Sequence, residues 1–244
     1  MNKKKLKILV AICNYNHEKY LEQSIKSIQN QVYAHLDICV VDDGSTNKEQ
    51  FMDIVSRLKK EDDRIRYIDL EKNYGKWYAL NKAIETTDAQ VCTAHDADDI
   101  SLPDRIDMQA LALLGSKTQH NLCGFRHCWS EEDVEKNLGH VIDKDGARMM
   151  APQDVRKLVS FGFNHPSINH YYTGEFETAG VSAMFYKALW DNGLRFNPPG
   201  KGLRTLLSED SDFNLRCTMF ASTSILLEKP YLYRRNTSTN QEQM

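Results

Sequence analysis

Four times in the first hundred residues, a short and nearly continuous apolar run gives way to a polar turn and then to a segment of helical character. The runs are Lys7 to Cys13, Leu36 to Val41, Ile65 to Ile68 and Val91 to Thr93. Unbroken apolar character marks strands covered on both faces, and Leu21, Ile25 and Ile28 after the first run recur at the spacing of one helix face. Parallel neighbours cannot be joined by a tight turn, so this alternation requires a mainly parallel sheet with right-handed helical crossovers. The predicted fold is α/β and Rossmann-like, and its ligands belong outside the carboxyl ends of the strands.

The functional residues are therefore expected at those ends. The first run closes in Asn14-Tyr15-Asn16-His17, without the glycine-rich fingerprint of a dinucleotide site. Tyr15 reads either as packing or as a ring offered to a ligand. The second run closes in Asp42-Asp43-Gly44-Ser45-Thr46, with Ser45, Thr46 or Asn47 available to cap a helix that runs to about Lys60. After the third come Asn73-Tyr74-Gly75-Lys76 and a helix from about Trp77 to Glu85. The fourth closes in His95-Asp96-Ala97-Asp98-Asp99. If the strand continues, Asp96 and Asp98 share a face roughly 6–7 Å apart and can share a cation, although acids are also ordinary in turns. His95 reads as an adjacent strand residue. Asp99 falls on the other parity as a supporting or cap group, and Ser101 with Pro103 reads as a helix N-cap with proline in the first turn.

Beyond Gly115 the pattern loosens. Leu122 to Trp129 and Val181 to Tyr186 are strand-like, Asp143 to Gly146 is a turn, and Pro152 to Phe161 is an amphipathic helix. His165 to Glu177, with Tyr171 and Tyr172, is a candidate loop over the site, and Asn197 to Gly202 is an irregular connection. Ser208 caps a helix whose first turn holds Glu209, Asp210 and Asp212; acids there stabilise the helix dipole with or without a catalytic task. Leu226 to Arg235 is a last strand, followed by a polar tail. Residues 1–115 form one half of the domain and 116–244 the other.

Composition excludes several classes. Net charge is −3, from 31 basic and 34 acidic residues mixed along 244, so there is no basic footprint for nucleic acid. No apolar run reaches the roughly 18–20 residues of a membrane span, and no signal-like segment opens the chain. Lys3-Lys4-Lys5 with Lys7 is a solvated tail, and only weakly an anchor to the inner face of an anionic membrane. Cys13, Cys39 and Cys92 lie in apolar runs, and Cys123, Cys128 and Cys217 lack zinc spacing, so a reducing cytoplasm is expected.

Together, the carboxyl-edge residues suit a nucleotide diphosphate: a ring (Tyr15), acids (Asp42, Asp43), a base after glycine (Lys76), and an acid pair for a hard cation (Asp96, Asp98). Mn2+ or Mg2+ would neutralise the diphosphate and make it a better leaving group.

The sequence resembles glycosyltransferase family 2, of GT-A fold. The resemblance is carried by Ile8 to Asn16, Val40 to Ser45, Asn73-Tyr74-Gly75, Asp96-Ala97-Asp98-Asp99 with Pro103-Asp104-Arg105, Gly180 to Phe185, and Glu209-Asp210 before Asp212-Phe213. Their order and spacing cover nearly the whole chain. The resemblance implies that residues 1–115 bind a nucleotide sugar and 116–244 bind acceptor and supply the base. It implies nucleobase contacts from Tyr15 and Asp43 beside Cys13 and Asp42, a DxD metal site at Asp96 and Asp98, and Asp210 as catalytic base with Glu209 as runner-up. It further implies an inverting transfer, from a UDP-sugar most often, to a hydroxyl of a glycan, lipid-linked or protein acceptor, as in polysaccharide biosynthesis. The chain departs from the family at Cys13, where threonine or proline is frequent, and at Leu80, where arginine is. It also departs at Tyr233-Arg234-Arg235-Asn236, which lacks a histidine; Arg234 or Arg235 remains to hold diphosphate. Three other protein classes share parts of this pattern. A phosphorylated receiver domain is about half this length. A nucleotidyltransferase needs a glycine-rich basic loop that Cys13 to Glu18 lacks. An inactive sugar-nucleotide binder differs only in turnover.

Overall fold

The computed structural model describes residues 6–140, 142, 147–151, 153, 180–199 and 208–234. The expected alternation is present as β1 (Ile8–Asn14), α1 (Glu18–Gln29), β2 (Leu36–Asp42), α2 (Lys48–Glu61), β3 (Ile65–Asp69), α3 (Lys76–Glu85) and β4 (Val91–Asp96). Then follow β5 (Ile100–Ser101), α4 (Arg105–Gly115), β6 (His120–Cys128), α5 (Glu131–Leu138), β7 (Met149–Met150), β8 (Met184–Tyr186), α6 (Lys187–Asp191), α7 (Glu209–Phe220) and β9 (Thr223–Arg234). One sheet joins them in the order β3-β2-β1-β4-β8-β6-β9-β5, with β7 on β9.

The strands β3, β2, β1 and β4 are mutually parallel, as their unbroken apolar character predicts. The chain winds outward from β1 through β2 to β3, then returns to place β4 on the other side of β1. That reversal makes β1 and β4 the switch point, where the crevice of an open α/β sheet lies. The second half is mixed: β8 runs antiparallel to β4 and β6, while β6 and β9 are parallel.

Side chains alternate between two cores. Ile8, Val10 and Ile12 of β1 pack with Leu21, Ile25 and Ile28 of α1 and Phe51, Val55 and Leu58 of α2. Leu9 and Ala11 face Ala79, Leu80 and Ala83 of α3, a cluster continuing to Phe185 and Phe213. Leu80, where the family often has arginine, is 1% exposed and is a core residue. Phe213 stacks on Phe196 at 4.1 Å and lies 4.8 Å from Phe185, which fastens α7 to the sheet. Each such fully buried side chain contributes about 1.5–3 kcal/mol.

Several local expectations change. Asn47 caps α2, its side chain accepting from Gln50 N. Ser101 caps no helix. It lies in β5, paired with Tyr231 of β9, while α4 begins at Arg105 after Asp104. The reason is tertiary: Leu102 N donates to Pro230 O, and the Ser101 hydroxyl accepts from fully buried Arg105. Of Val181 to Tyr186, only Met184–Tyr186 is strand, after a 3-10 turn at Gly180–Ser182. Asn197 to Pro199 is irregular, as expected. The turn at Asp143 to Gly146, the helix at Pro152 to Phe161 and the loop at His165 to Glu177 lie outside the described residues, Gln153 apart. All six cysteines are free, and five are buried. Among the described residues, no helix is long and apolar enough to cross a membrane.

Candidate active site

The β1/β4 switch point brings Cys13 and Asp96 side by side, as paired residues of adjacent strands. Burial pushes the Cys13 thiol well above its usual pKa, against the pull of Lys76, so it stays protonated and serves as wall. Tyr15, in the loop just beyond, is 37% exposed and can offer a face to a ligand.

Asp42 is turned inward and is fully buried. Its carboxylate accepts from Asn14 Nδ2 at 2.8 Å, Ser45 N at 3.1 Å and Lys48 Nζ at 2.5 Å. It therefore secures the loop rather than facing the crevice. Asp43 bridges to the next loop, one oxygen accepting from Tyr74 N at 2.8 Å and the other from Gly75 N at 2.9 Å. Burial pushes its pKa up, and those two amides pull it back down. The bridge needs close backbone approach at Gly44, where φ is +77° and a Cβ would lie 2.3 Å from the Lys72 carbonyl carbon.

Lys76 opens α3 and sits between two carboxylates, its ammonium 2.6 Å from Asp96 Oδ1, 2.9 Å from Asp210 Oδ2 and 4.0 Å from Glu209 Oε1. Burial alone would lower its pKa, but Asp210, Asp96 and Glu209 hold it well above the usual lysine value. Asp210 is raised to about 7, chiefly by burial, with Glu209 and Asp96 pushing the same way and Lys76 opposing. The α7 start is capped by Ser208, whose side chain accepts from Ser211 N. Asp212 is elsewhere engaged, accepting from Arg216 at 2.7 Å and Asn197 at 3.0 Å.

β4 ends at Asp96, so Asp98 is brought round by a turn rather than by strand parity. The turn also carries Asp99 inward, contrary to the parity argument: one oxygen from each of Asp96, Asp98 and Asp99 lies within 4.8 Å of the others. Ligand oxygens about 2.1 Å from one octahedral ion are roughly 3.0 Å apart when adjacent and 4.2 Å when opposite. With a small inward adjustment such a triad can close on one hard divalent cation. Burial, then Asp98 and Asp96, push the Asp99 pKa well up, while donors from Tyr231 Oη at 2.7 Å and Arg234 N at 2.9 Å pull it down. Arg234 is spent on structure, donating to Asp98 O at 2.6 Å and to Glu131 at 3.0 Å, and so holds the turn. Arg235 lies outside the described residues. His95 points away into the core, where burial and Arg105 keep its imidazole neutral and Nδ1 donates to Asp96 O at 2.7 Å.

Sequence reasoning did not single out Tyr231, the support of Asp99, or His17, whose Nδ1 lies 3.8 Å from Asp98 Oδ2. Nothing local marks Tyr231. For His17, the signal was its place in the polar turn after β1.

A sheet of this order, with an acid turn at its β1/β4 switch point, is a GT-A fold. The sequence matches Glycosyl transferase family 2 over residues 9–189, and the chain belongs to that family. An uncharacterized glycosyltransferase of Methanocaldococcus jannaschii is 26% identical over 213 residues, covering 86% of this chain and 64% of that protein. S. aureus TarS 1-349 in complex with UDP-GlcNAc has the same fold at a TM-score of 0.70, with 18% identity over 98% of this chain and 61% of that one. The mannosyltransferase PcManGT of Pyrobaculum calidifontis, in complex with GDP-Man and Mn2+, superposes at 0.65, with 17% identity over 99% and 60%. The chain thus spans under two thirds of each of these proteins.

Proposed function

We propose that the protein transfers a sugar from a UDP-sugar to an acceptor hydroxyl with inversion, using Mn2+ or Mg2+ held by Asp96 and Asp98. The observation that carries this reading is the convergence on Lys76 of an acid from the metal turn and an acid from α7. Donor diphosphate and acceptor base would then share one pocket, as a single displacement at the anomeric carbon requires. Asp43 and Tyr15 would receive the nucleobase and Lys76 the diphosphate. The bound cation would neutralise the charge developing on the leaving diphosphate. Asp210, with a pKa of about 7, is matched to take the acceptor hydroxyl's proton at neutral pH, and Glu209 beside it keeps that pKa up. The UDP-GlcNAc bound by TarS and the GDP-Man and Mn2+ bound by PcManGT support this donor chemistry. The acceptor is a glycan, lipid-linked saccharide or protein hydroxyl facing the 116–244 half, and the six free cysteines suit a reducing cytoplasm.

A panel of nucleotide sugars with Mn2+ tests this through thermal stabilisation and release of nucleotide diphosphate. Asp98→Ala should lose metal-dependent stabilisation. Asp210→Asn should still bind donor while turnover falls about 10²–10⁴-fold. Full turnover in excess chelator, or a product with retained anomeric configuration by NMR, would refute the mechanism.

A further inference from the structure

We propose that His17 is a protein ligand to the cation, supplying one imidazole nitrogen beside the carboxylates of the Asp96–Asp99 turn. This rests on the donor and metal reading above and adds a ligand from a different element.

His17 Nδ1 stands 3.8 Å from Asp98 Oδ2, beyond a hydrogen bond but within the spacing of two ligands on one ion. The three carboxylates lie within 4.8 Å of one another without the histidine, so His17 approaches the ion from the Asp98 side. The two side chains are only 11% and 12% exposed, so a cation between them would be shielded from water. The histidine is also held in place. Its carbonyl accepts from Tyr20 N at 2.9 Å and Leu21 N at 3.1 Å, fixing it at the head of α1. The preceding Asn16, at φ +58°, is pinned by Ser45 Oγ to its N–H and by Thr46 N to its side-chain oxygen. On the other side, the guanidinium of Arg234 lies 4.9 Å over the Tyr20 ring and donates to Asp98 O. One assembly therefore sets His17 and Asp98 against each other.

The chemistry favours a neutral additional donor here. The Asp96 and Asp98 carboxylates already neutralise a divalent ion, and a diphosphate must still approach it. A further carboxylate would repel that diphosphate, whereas an imidazole adds to the coordination without charge. It also makes the donor set softer, which favours Mn2+ over Mg2+.

The test is pulsed electron paramagnetic resonance of Mn2+ bound with UDP, which reads directly whether a nitrogen is coordinated. The parent protein should show a nitrogen modulation that changes isotope signature when histidine is 15N-labelled. His17→Gln should abolish that modulation and weaken Mn2+ binding, measured by calorimetry, at least about tenfold, with a smaller loss for Mg2+. Modulation absent from the parent, or persisting in His17→Gln, overturns the assignment. The labelled parent alone decides the matter should the variant not fold. Failure of Mn2+ and UDP to bind the parent at all would instead sink the donor reading.

Discussion

Replacing Gly44 by alanine should cost more than any other single-methyl change at this edge of the sheet. The added Cβ would lie 2.3 Å from Lys72 C, 2.4 Å from Asn73 N and 2.6 Å from Lys72 Cα. All three are backbone atoms, so no rotamer change relieves the overlap. The residue must also keep φ at +77°, a left-handed conformation that costs an L-residue roughly 1–2 kcal/mol. Overpacking adds about 1–3 kcal/mol, for a total near 2–5 kcal/mol. The clash falls on the segment that delivers Tyr74 N and Gly75 N to Asp43, so nucleotide affinity should fall along with stability. Urea unfolding measures the first, since the midpoint moves while the slope holds. Gly115→Ala is the internal control: its Cβ meets nothing within 4 Å, it closes α4, and it should gain at most about 1 kcal/mol. A Gly44→Ala loss below about 1 kcal/mol, or a gain like the control's, would refute the reasoning.

Lys76→Met removes the ammonium that opposes the upward shift of Asp210. The acidic limb of kcat/KM, expected near pH 7 in the parent, should therefore move about 1–3 units higher, and an unmoved limb would disprove the pairing. Asp43→Ala should weaken UDP binding about ten- to a hundredfold, the loss of one charge-assisted bond. Calorimetry finding equal affinity would remove Asp43 from the nucleobase site.

The first four strands are legible in the sequence because a parallel strand covered on both faces must be apolar throughout, as β1 and β2 are. The same pattern nominates the residues at their carboxyl ends as the site. It does not disclose their contacts. Lys76 and Asp210 are 134 residues apart, and no local pattern announces that they meet. The reading of Asp96 to Ser101 shows the same boundary. Strand parity and a serine two residues before proline are local rules, and both yield to the docking of β9. Buried Arg105 claims Ser101, Thr93 and the Ala94 carbonyl, while Tyr231 and Arg234 draw Asp99 inward. Tertiary hydrogen bonds decide the geometry there.

The tie between Asp99 and β9 also bears on when the acid turn acquires its shape. Asp99 and Arg234 are 135 residues apart, so the turn is clamped only once nearly the whole described chain has been made and β9 has found β6. Loop closure over that span is among the slower steps of folding. A nascent chain with only β1 to β4 in place would carry the carboxylates without the clamp, and would grip a cation poorly. Linkage runs both ways: an ion that prefers the clamped turn must also hold β9 in the sheet. Tight cation binding would then certify that the far edge of the sheet is assembled.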